Sequence, residues 1–296
     1  MTRMQNLLGP MRLPFIILTP ACVLLGCATA FRAAGTVSVF HVILLLLGAT
    51  SAHISVNAFN EYFDFKSGLD FKTERTPFSG GSGTLPEKPA LAGWVLGTAI
   101  VAFLVTLLLG IYFVTISGPG LLPLGIVGLL LIYAYTPWLT HNAFLCLIAP
   151  GLGFGPLMVM GTHFVLAGTY SGSSFVASLI PFFLVSNLLL LNQFPDVDAD
   201  RGIGRKHYPI LIGRRASSFI YIGFSSLVYI ALILGVYGQL LPKLSLLGLG
   251  TIPMAVAACA GAYRHAERIE KLTPYMGVNV LLTLATPVLI AIGLLV

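Results

Sequence analysis

The residues best suited to chemistry lie in two short stretches, NEYFDFKSGLD (60–70) and NQFPDVDAD (192–200). Asn60 and Asp64 are four residues apart, with Asp70 beyond; Asn192, Asp196 and Asp200 follow one another at steps of four. Side chains four apart share a helix face, so each stretch presents a stripe of amide and carboxylate oxygens. The two asparagines are 132 residues apart. Two carboxylate clusters facing each other repel in a low dielectric unless cations lie between them. Mg2+ suits such donors, because it takes hard oxygens, commonly one or two carboxylates with phosphate oxygens and waters. Neither cluster contains His or Cys, which argues against zinc. Lys66, Lys72, Arg75, Arg201, Arg205 and Lys206 are interleaved with the acids and are candidates to face phosphate oxygens. The pattern points to a Mg2+–diphosphate site.

The elements that must position these stripes are membrane helices. The chain has 296 residues, 57% of them hydrophobic and only 9% charged, with a mean hydropathy of +0.94. A soluble domain is nearer a quarter charged. Apolar runs of about twenty residues cross a bilayer as helices. Nine such runs stand at 13–31, 37–58, 92–117, 120–137, 144–168, 175–195, 217–237, 244–263 and 276–296. The expected class is therefore an all-α polytopic bundle, one unit over 1–296. The first run is followed at once by others and reads as a permanent span, not a signal peptide. Cys22, Cys27, Cys146 and Cys259 lack metal-ligand spacing and read as core residues.

Charge sets the expected orientation. Arg3 and Arg12 precede the first run; Lys66, Lys72, Arg75 and Lys88 follow the second; Arg201, Arg205, Lys206, Arg214 and Arg215 follow the sixth; Arg264, Arg268 and Lys271 follow the eighth. With nine spans all of these fall on the N-terminal side, and only Arg32 and Lys243 fall opposite. Excess Lys and Arg mark the cytoplasmic face, so the N-terminus is expected inside, in a cell inner membrane. All ten acids lie in three of these same segments, which the positive-inside rule does not require. The second run adds depth to its stripe: His53, Asn57, Asn60 and Asp64 are spaced by four, three and four. Polar groups that far inside an apolar run face the bundle interior or a wet cavity. A polar diphosphate site above an apolar cavity has the shape of a polyisoprenyl diphosphate. Membrane lipid is an expected partner and nucleic acid is not.

The first motif, Asn60-Glu61-Tyr62-Phe63-Asp64 with Asp70 after it, and the second, Asp196 to Asp200, resemble those of the UbiA-type intramembrane prenyltransferases. The nine-span plan and the motif positions extend the resemblance over nearly the whole chain. The Asp64-to-Asp70 spacing and Arg75-Thr76-Pro77 are most similar to the menaquinone-pathway branch, which prenylates a dihydroxynaphthoate. The resemblance implies Mg2+-dependent transfer of a prenyl group from its diphosphate to a lipophilic or aromatic acceptor. It implies that Asn60, Asp64 and Asp70 hold one Mg2+ and Asn192, Asp196 and Asp200 another. Asp64 and Asp196 carry the reaction, Arg75, Arg201 and Lys206 clamp the diphosphate, and Asn57 and Tyr135 contact substrate. Tyr62, Phe63, Tyr133 and Tyr135 are candidates to stabilise an allylic cation through their π faces, against a packing or interfacial role.

Two departures stand out. Glu61 replaces the family's usual Asp and is a possible ligand from a longer arm. The segment YAYTPWLTHN (133–142) lacks the Lys, Arg or acid often found there, leaving His141 as a candidate proton acceptor. The Gly/Ser-rich stretch 78–84 is either a lid over phosphate or a plain connection. The altered 133–142 segment keeps cyclisation without an acceptor open, as well as transfer to a glycerol-phosphate backbone or a tetrapyrrole. A transporter is the alternative outside enzymes. Transporters place ionisable groups near the midplane, whereas these carboxylates gather at one edge.

Overall fold

The computed structural model describes residues 7–296; Arg3, counted above with the basic N-terminal segment, lies outside them. Every regular element among the described residues is helical. Helices occupy all nine predicted positions: α1 (Leu18–Ala34), α2 (Val39–Ser67), α3 (Ala92–Ser117), α4 (Leu122–Ala134), α5 (Ala143–Ala167), α6 (Gly172–Arg201), α7 (Arg214–Tyr237), α8 (Lys243–Arg264) and α9 (Ile269–Leu295). Seven are long and apolar enough on their own to cross a membrane. An eighth span results if Gly9–Ile16 and α1, bent by 44°, count as one. The remaining apolar helix, Pro119–Ala134, is shorter than the roughly twenty residues a bilayer needs.

Local sequence sets where these helices start and stop. Ser38 caps α2, its Oγ accepting from His41 N–H at 3.4 Å, and Gly68 ends it in a left-handed turn at φ 77°. Ser171 and Ser174 form a capping box at the start of α6. The middle of α5, Gly153–Met160, is a π-helical turn with Pro156 inside it. Such turns widen a helix and occur often at functional sites.

The bundle has a tight side and an open side. On the tight side α6 is the central helix: 67% of its apolar window is buried, against 17% in α3. Ile180, Leu184 and Val185 of α6 pack against Cys22 and Leu25 of α1, Val228 and Leu232 of α7, and Ile290 of α9. Polar links inside this core join helices, as expected where no water competes. Asn187 Nδ2 donates to Tyr221 O at 2.8 Å and Ser225 Oγ at 2.9 Å, and Tyr221 Oη donates to Asn279 Oδ1 at 2.8 Å. Gly151 and Gly155 bring α5 onto α6, where a Cβ at either would strike backbone of Phe182 or Ser178. On the other side Ala58 and Phe59 of α2, Val95 and Ala99 of α3, and Ile132 of α4 form a separate cluster. All four cysteines are free, Cys22 and Cys146 fully buried.

The α5–α6 approach tolerates no side chain. Gly155→Leu is expected to destabilise the bundle by about 1–3 kcal/mol, an overpacking penalty. A thermal-shift measurement in detergent checks this, with Gly97→Leu, where a Cβ meets nothing within 4 Å, as the neutral control.

Candidate active site

The C-terminal ends of α2 and α6 converge. A cavity of about 100 Å³ between them is lined by Asn60, Asp64, Asp70, Asn192, Asp196 and Asp200, so both sequence stripes meet at one place. Asp64 stands on the last turns of α2. The left-handed turn at Gly68 then leads into a short 3-10 turn, Leu69–Phe71, which returns Asp70 to the cavity. Helix α6 runs through Pro195 to Arg201 without ending, which keeps Asn192, Asp196 and Asp200 in phase.

Two guanidiniums lie among these acids. Arg205 bridges the stripes, pairing with Asp64 Oδ1 of α2 and, at 2.9 Å, with Asp200 Oδ1 of α6. All three side chains are about nine-tenths buried. Burial disfavours the Arg205 charge, but the carboxylates of Asp64 and Asp200 outweigh it and hold the guanidinium firmly protonated. Arg12 Nη2 donates to Asn60 Oδ1 at 3.0 Å and lies 3.6 Å from Glu61 Oε2. Arg12 adopts φ 52°, a costly conformation for a residue with a Cβ, and strain of this kind gathers at functional sites. His207 Nε2 pairs with Asp200 Oδ2 at 3.0 Å.

Negative charge remains in excess. Burial, then the like charges of Glu61 and Asp64, push the Asp70 carboxyl up to about 8. Asp70 Oδ2, Asn192 Oδ1 and Asp196 Oδ1 are buried without a hydrogen-bond partner. Orphaned buried oxygens are costly, and hard-oxygen donors left open suit Mg2+. Among the described residues no three of His, Cys, Asp and Glu stand close enough to hold an ion by themselves. A cation here would complete its shell with asparagine oxygen, water and phosphate, as Mg2+ commonly does.

Three residues that sequence reasoning did not assign to the site, Arg12, Gln193 and His207, line the cavity, as do Ser79 and Gly81 of the 78–84 stretch. Glu61, expected as a possible ligand, is instead fully buried behind it: its carboxylate accepts from Ser82 Oγ and, at 3.1 Å, from Ser82 N–H. The 78–84 stretch is thus anchored over the acids. Gly81, at φ 70°, passes so close that a Cβ there would lie 3.2 Å from Asp70 Oδ1. The spacing signal was present for His207, two residues after Arg205; nothing local marks Arg12, which arrives from 48 residues before Asn60.

Other candidates lie elsewhere. Lys66 sits 5.7 Å over the Tyr62 ring, and Lys72 is exposed. Arg75 pairs with Glu87 at 3.4 Å and Arg201 with Asp198 at 3.5 Å, both at the surface. Lys206 is exposed, its backbone N–H donating to Thr140 O at 2.9 Å. The reason is phase: Arg201 follows Asp200 by one residue, about 100° round the helix. His141 is exposed, while its neighbour Thr140 lines the cavity. Phe63 and Tyr133 pack with Phe59, and Tyr62 with Phe63, at ring distances near 6 Å. Tyr135 alone of the four aromatics lines the site.

Beneath the acids lies an apolar chamber of about 590 Å³ among α2, α3, α4 and α5. It shares Arg12, Asn60, Tyr135 and Leu189 with the polar cavity, so the two adjoin along those side chains. Its walls reach Leu45, Gly110, Phe113 and Leu121 at the far end. His53 and Asn57 line it near the mouth, His53 bonded to Thr19 Oγ1 at 2.9 Å and Asn57 to Met11 O at 3.1 Å. The arrangement can hold an anionic, metal-binding head group with a long apolar tail.

A family model described as the UbiA prenyltransferase family matches residues 19–285. The chain is 28% identical over 221 residues to 1,4-dihydroxy-2-naphthoate octaprenyltransferase of Bacillus subtilis (strain 168), covering 73% of this chain and 69% of that one. A UbiA homolog from Aeropyrum pernix K1 superposes with a TM-score of 0.71 at 14% identity, over 94% of this chain and 96% of that chain. A UbiA homolog from Archaeoglobus fulgidus bound to GPP and Mg2+ superposes with a TM-score of 0.63 at 15% identity, over 97% and 99%. These matches, spanning both carboxylate stripes and the helices that carry them, make the chain a member of the UbiA prenyltransferase family.

Proposed function

We propose that this protein transfers a prenyl group from a polyprenyl diphosphate to a dihydroxynaphthoate-like aromatic acceptor, with Mg2+ at the carboxylate stripes. One observation carries the reading: the acid-lined cavity and the apolar chamber adjoin, with Arg12, Asn60, Tyr135 and Leu189 in the walls of both. Family membership sets a transporter aside. The similarity to a naphthoate prenyltransferase supports the acceptor class, and the homolog solved with GPP and Mg2+ supports the donor and the metal.

Asn60, Asp64 and Asp70 would hold one cation and Asn192, Asp196 and Asp200 the other. Bound Mg2+ supplies positive charge against the charge that builds on the leaving diphosphate. Arg205 and Arg12 present guanidiniums to the same oxygens. The allylic C1–O bond breaks, its electron pair leaves with the diphosphate, an acceptor ring carbon bonds to C1, and the ring proton departs. Tyr135, lining both spaces, presents an aromatic surface at the junction where C1 would lie. The chamber walls keep the tail from water. The predominance of basic residues on the carboxylate side supports a site at the cytoplasmic face of an inner membrane.

Asp64→Ala and Asp196→Ala are each expected to cut prenyl transfer by roughly 100-fold or more while the protein remains extractable and folded, since each removes a charge that acts on the transition state. EDTA should stop turnover and Mg2+ restore it. Mass spectrometry of products from naphthoate and benzoate acceptors with several prenyl diphosphates reads out the substrates. Diphosphate release that needs no acceptor would point to cyclisation instead.

Chamber depth gives a second test. Gly125 of α4 lines the chamber with nothing within 4 Å of a Cβ, and lies ten residues, about 15 Å, from Tyr135. Gly125→Phe should fold normally yet lower turnover on geranylgeranyl diphosphate about tenfold or more relative to dimethylallyl diphosphate, whose tail stops short of that level.

A further inference from the structure

The oxygens of the site divide into two sets. Asp70 Oδ2, Asn192 Oδ1 and Asp196 Oδ1 are buried and unpartnered. Every carboxylate oxygen of Asp64 and Asp200, in contrast, is occupied. Asp64 Oδ1 pairs with Arg205 and Oδ2 accepts from Asn60 Nδ2 at 3.0 Å. Asp200 Oδ1 pairs with Arg205 at 2.9 Å and Oδ2 with His207 at 3.0 Å. Arg205 is the link between the two: one nitrogen goes to α2, the other to α6. A planar guanidinium suits such a bridge, giving each carboxylate its own nitrogen in a fixed fork, where an ammonium offers a single nitrogen at the end of a flexible stem.

From this geometry we infer that Arg205 is a positioning residue that locks Asp64 to Asp200 as an internal counterion and yields them to a divalent cation when a diphosphate arrives to take its guanidinium. The inference rests on the function proposed above and concerns the order in which its parts assemble. A cation that binds Asp64 or Asp200 must displace a buried positive charge. That charge, once displaced without a partner, would be costly in so dry a place. A diphosphate supplies the missing partner, since its oxygens accept from a guanidinium in the same forked manner. Metal and diphosphate therefore bind cooperatively, each lowering the cost of the other, and the coupling is reciprocal. The open oxygens of Asp70, Asn192 and Asp196 are where a lone cation gains a foothold. The device keeps the two acid stripes together before substrate binds, and keeps metal from filling the site without its diphosphate.

Binding of Mn2+, read by electron paramagnetic resonance on the purified full chain in detergent, tests this without any prenyl transfer. The wild type should bind Mn2+ alone weakly and the Mn2+–pyrophosphate complex much more tightly. Arg205→Gln should bind Mn2+ alone about tenfold or more tightly than wild type, yet bind the complex about tenfold more weakly, shifts within the usual range of couplings between sites. A structural defect would weaken both. Arg205→Lys, which keeps the charge but not the bridge, should fall between, and decides the matter if Arg205→Gln does not fold. Mn2+ affinity in either folded variant equal to or below wild type overturns the inference. Failure of the wild type to transfer any prenyl group, with these Mn2+ shifts intact, would instead count against the function and leave the lock standing.

Discussion

Glu61, Asp64, Asp70, Asp196 and Asp200 meet at one end of a helix bundle, with the guanidiniums of Arg12 and Arg205 and the imidazole of His207 paired among them. At an effective dielectric of about 20, two unit charges 4 Å apart interact by about 4 kcal/mol. A folded chain that gathers this many acids with two guanidiniums carries a standing demand for more positive charge. Burial first, and then that demand, account for the raised Asp70 carboxyl, and the oxygens of Asp70, Asn192 and Asp196 are left orphaned beside it. The same demand explains why the 78–84 stretch is tied down through Ser82: the Glu61 carboxylate, fully buried, takes backbone and hydroxyl donors where no further cation is at hand.

The bundle meets this demand by its division into two packing units. Asp196 and Asp200 stand on α6, the most buried helix, whose position is fixed by α1, α7 and α9. Asp64 stands on α2, which packs with α3 and α4 in a separate cluster. The acid site is therefore at a seam, and the apolar chamber continues along the same seam between α2, α3, α4 and α5. A seam leaves room for a tail precisely where the helices need not touch, while the Gly151 and Gly155 contact holds α5 to α6 and keeps the chamber from spreading.

Much of this was legible in the residues. The stripes Asn60–Asp64 and Asn192–Asp196–Asp200 were readable because helix period alone dictates which side chains share a face, and all of them line the cavity. The nine apolar runs correspond to helices because hydropathy records burial in lipid directly. The cations were harder. Charge and proximity in sequence made Lys66, Lys72, Arg75, Arg201 and Lys206 look equivalent to Arg205, yet phase along a helix end and the path of a loop admit only Arg205. Arg12 needed the fold itself, since a bend of 44° before α1 and a left-handed backbone deliver it to Asn60. The place of Glu61 likewise needed the fold: one residue round the helix from Asn60 turns it from the cavity to the loop behind.

The guanidinium bridge joins the two packing units at the acid end, and this has a mechanical consequence. Arg205 belongs to the loop after α6, so its hold on Asp64 ties the tight side of the bundle to the open side. Cations and a diphosphate seated between Asn60, Asp64 and Asp70 on one side and Asn192, Asp196 and Asp200 on the other would replace one buried tie with several. The polar end of the seam would then stay shut in both states, first by Arg205 and afterwards by metal and phosphate. On that reading a tail could slide along the chamber while its head is held, and the acid end, instead of the greasy walls, would set the position of C1. Reaction geometry and tail length would in this way be governed by different parts of the seam.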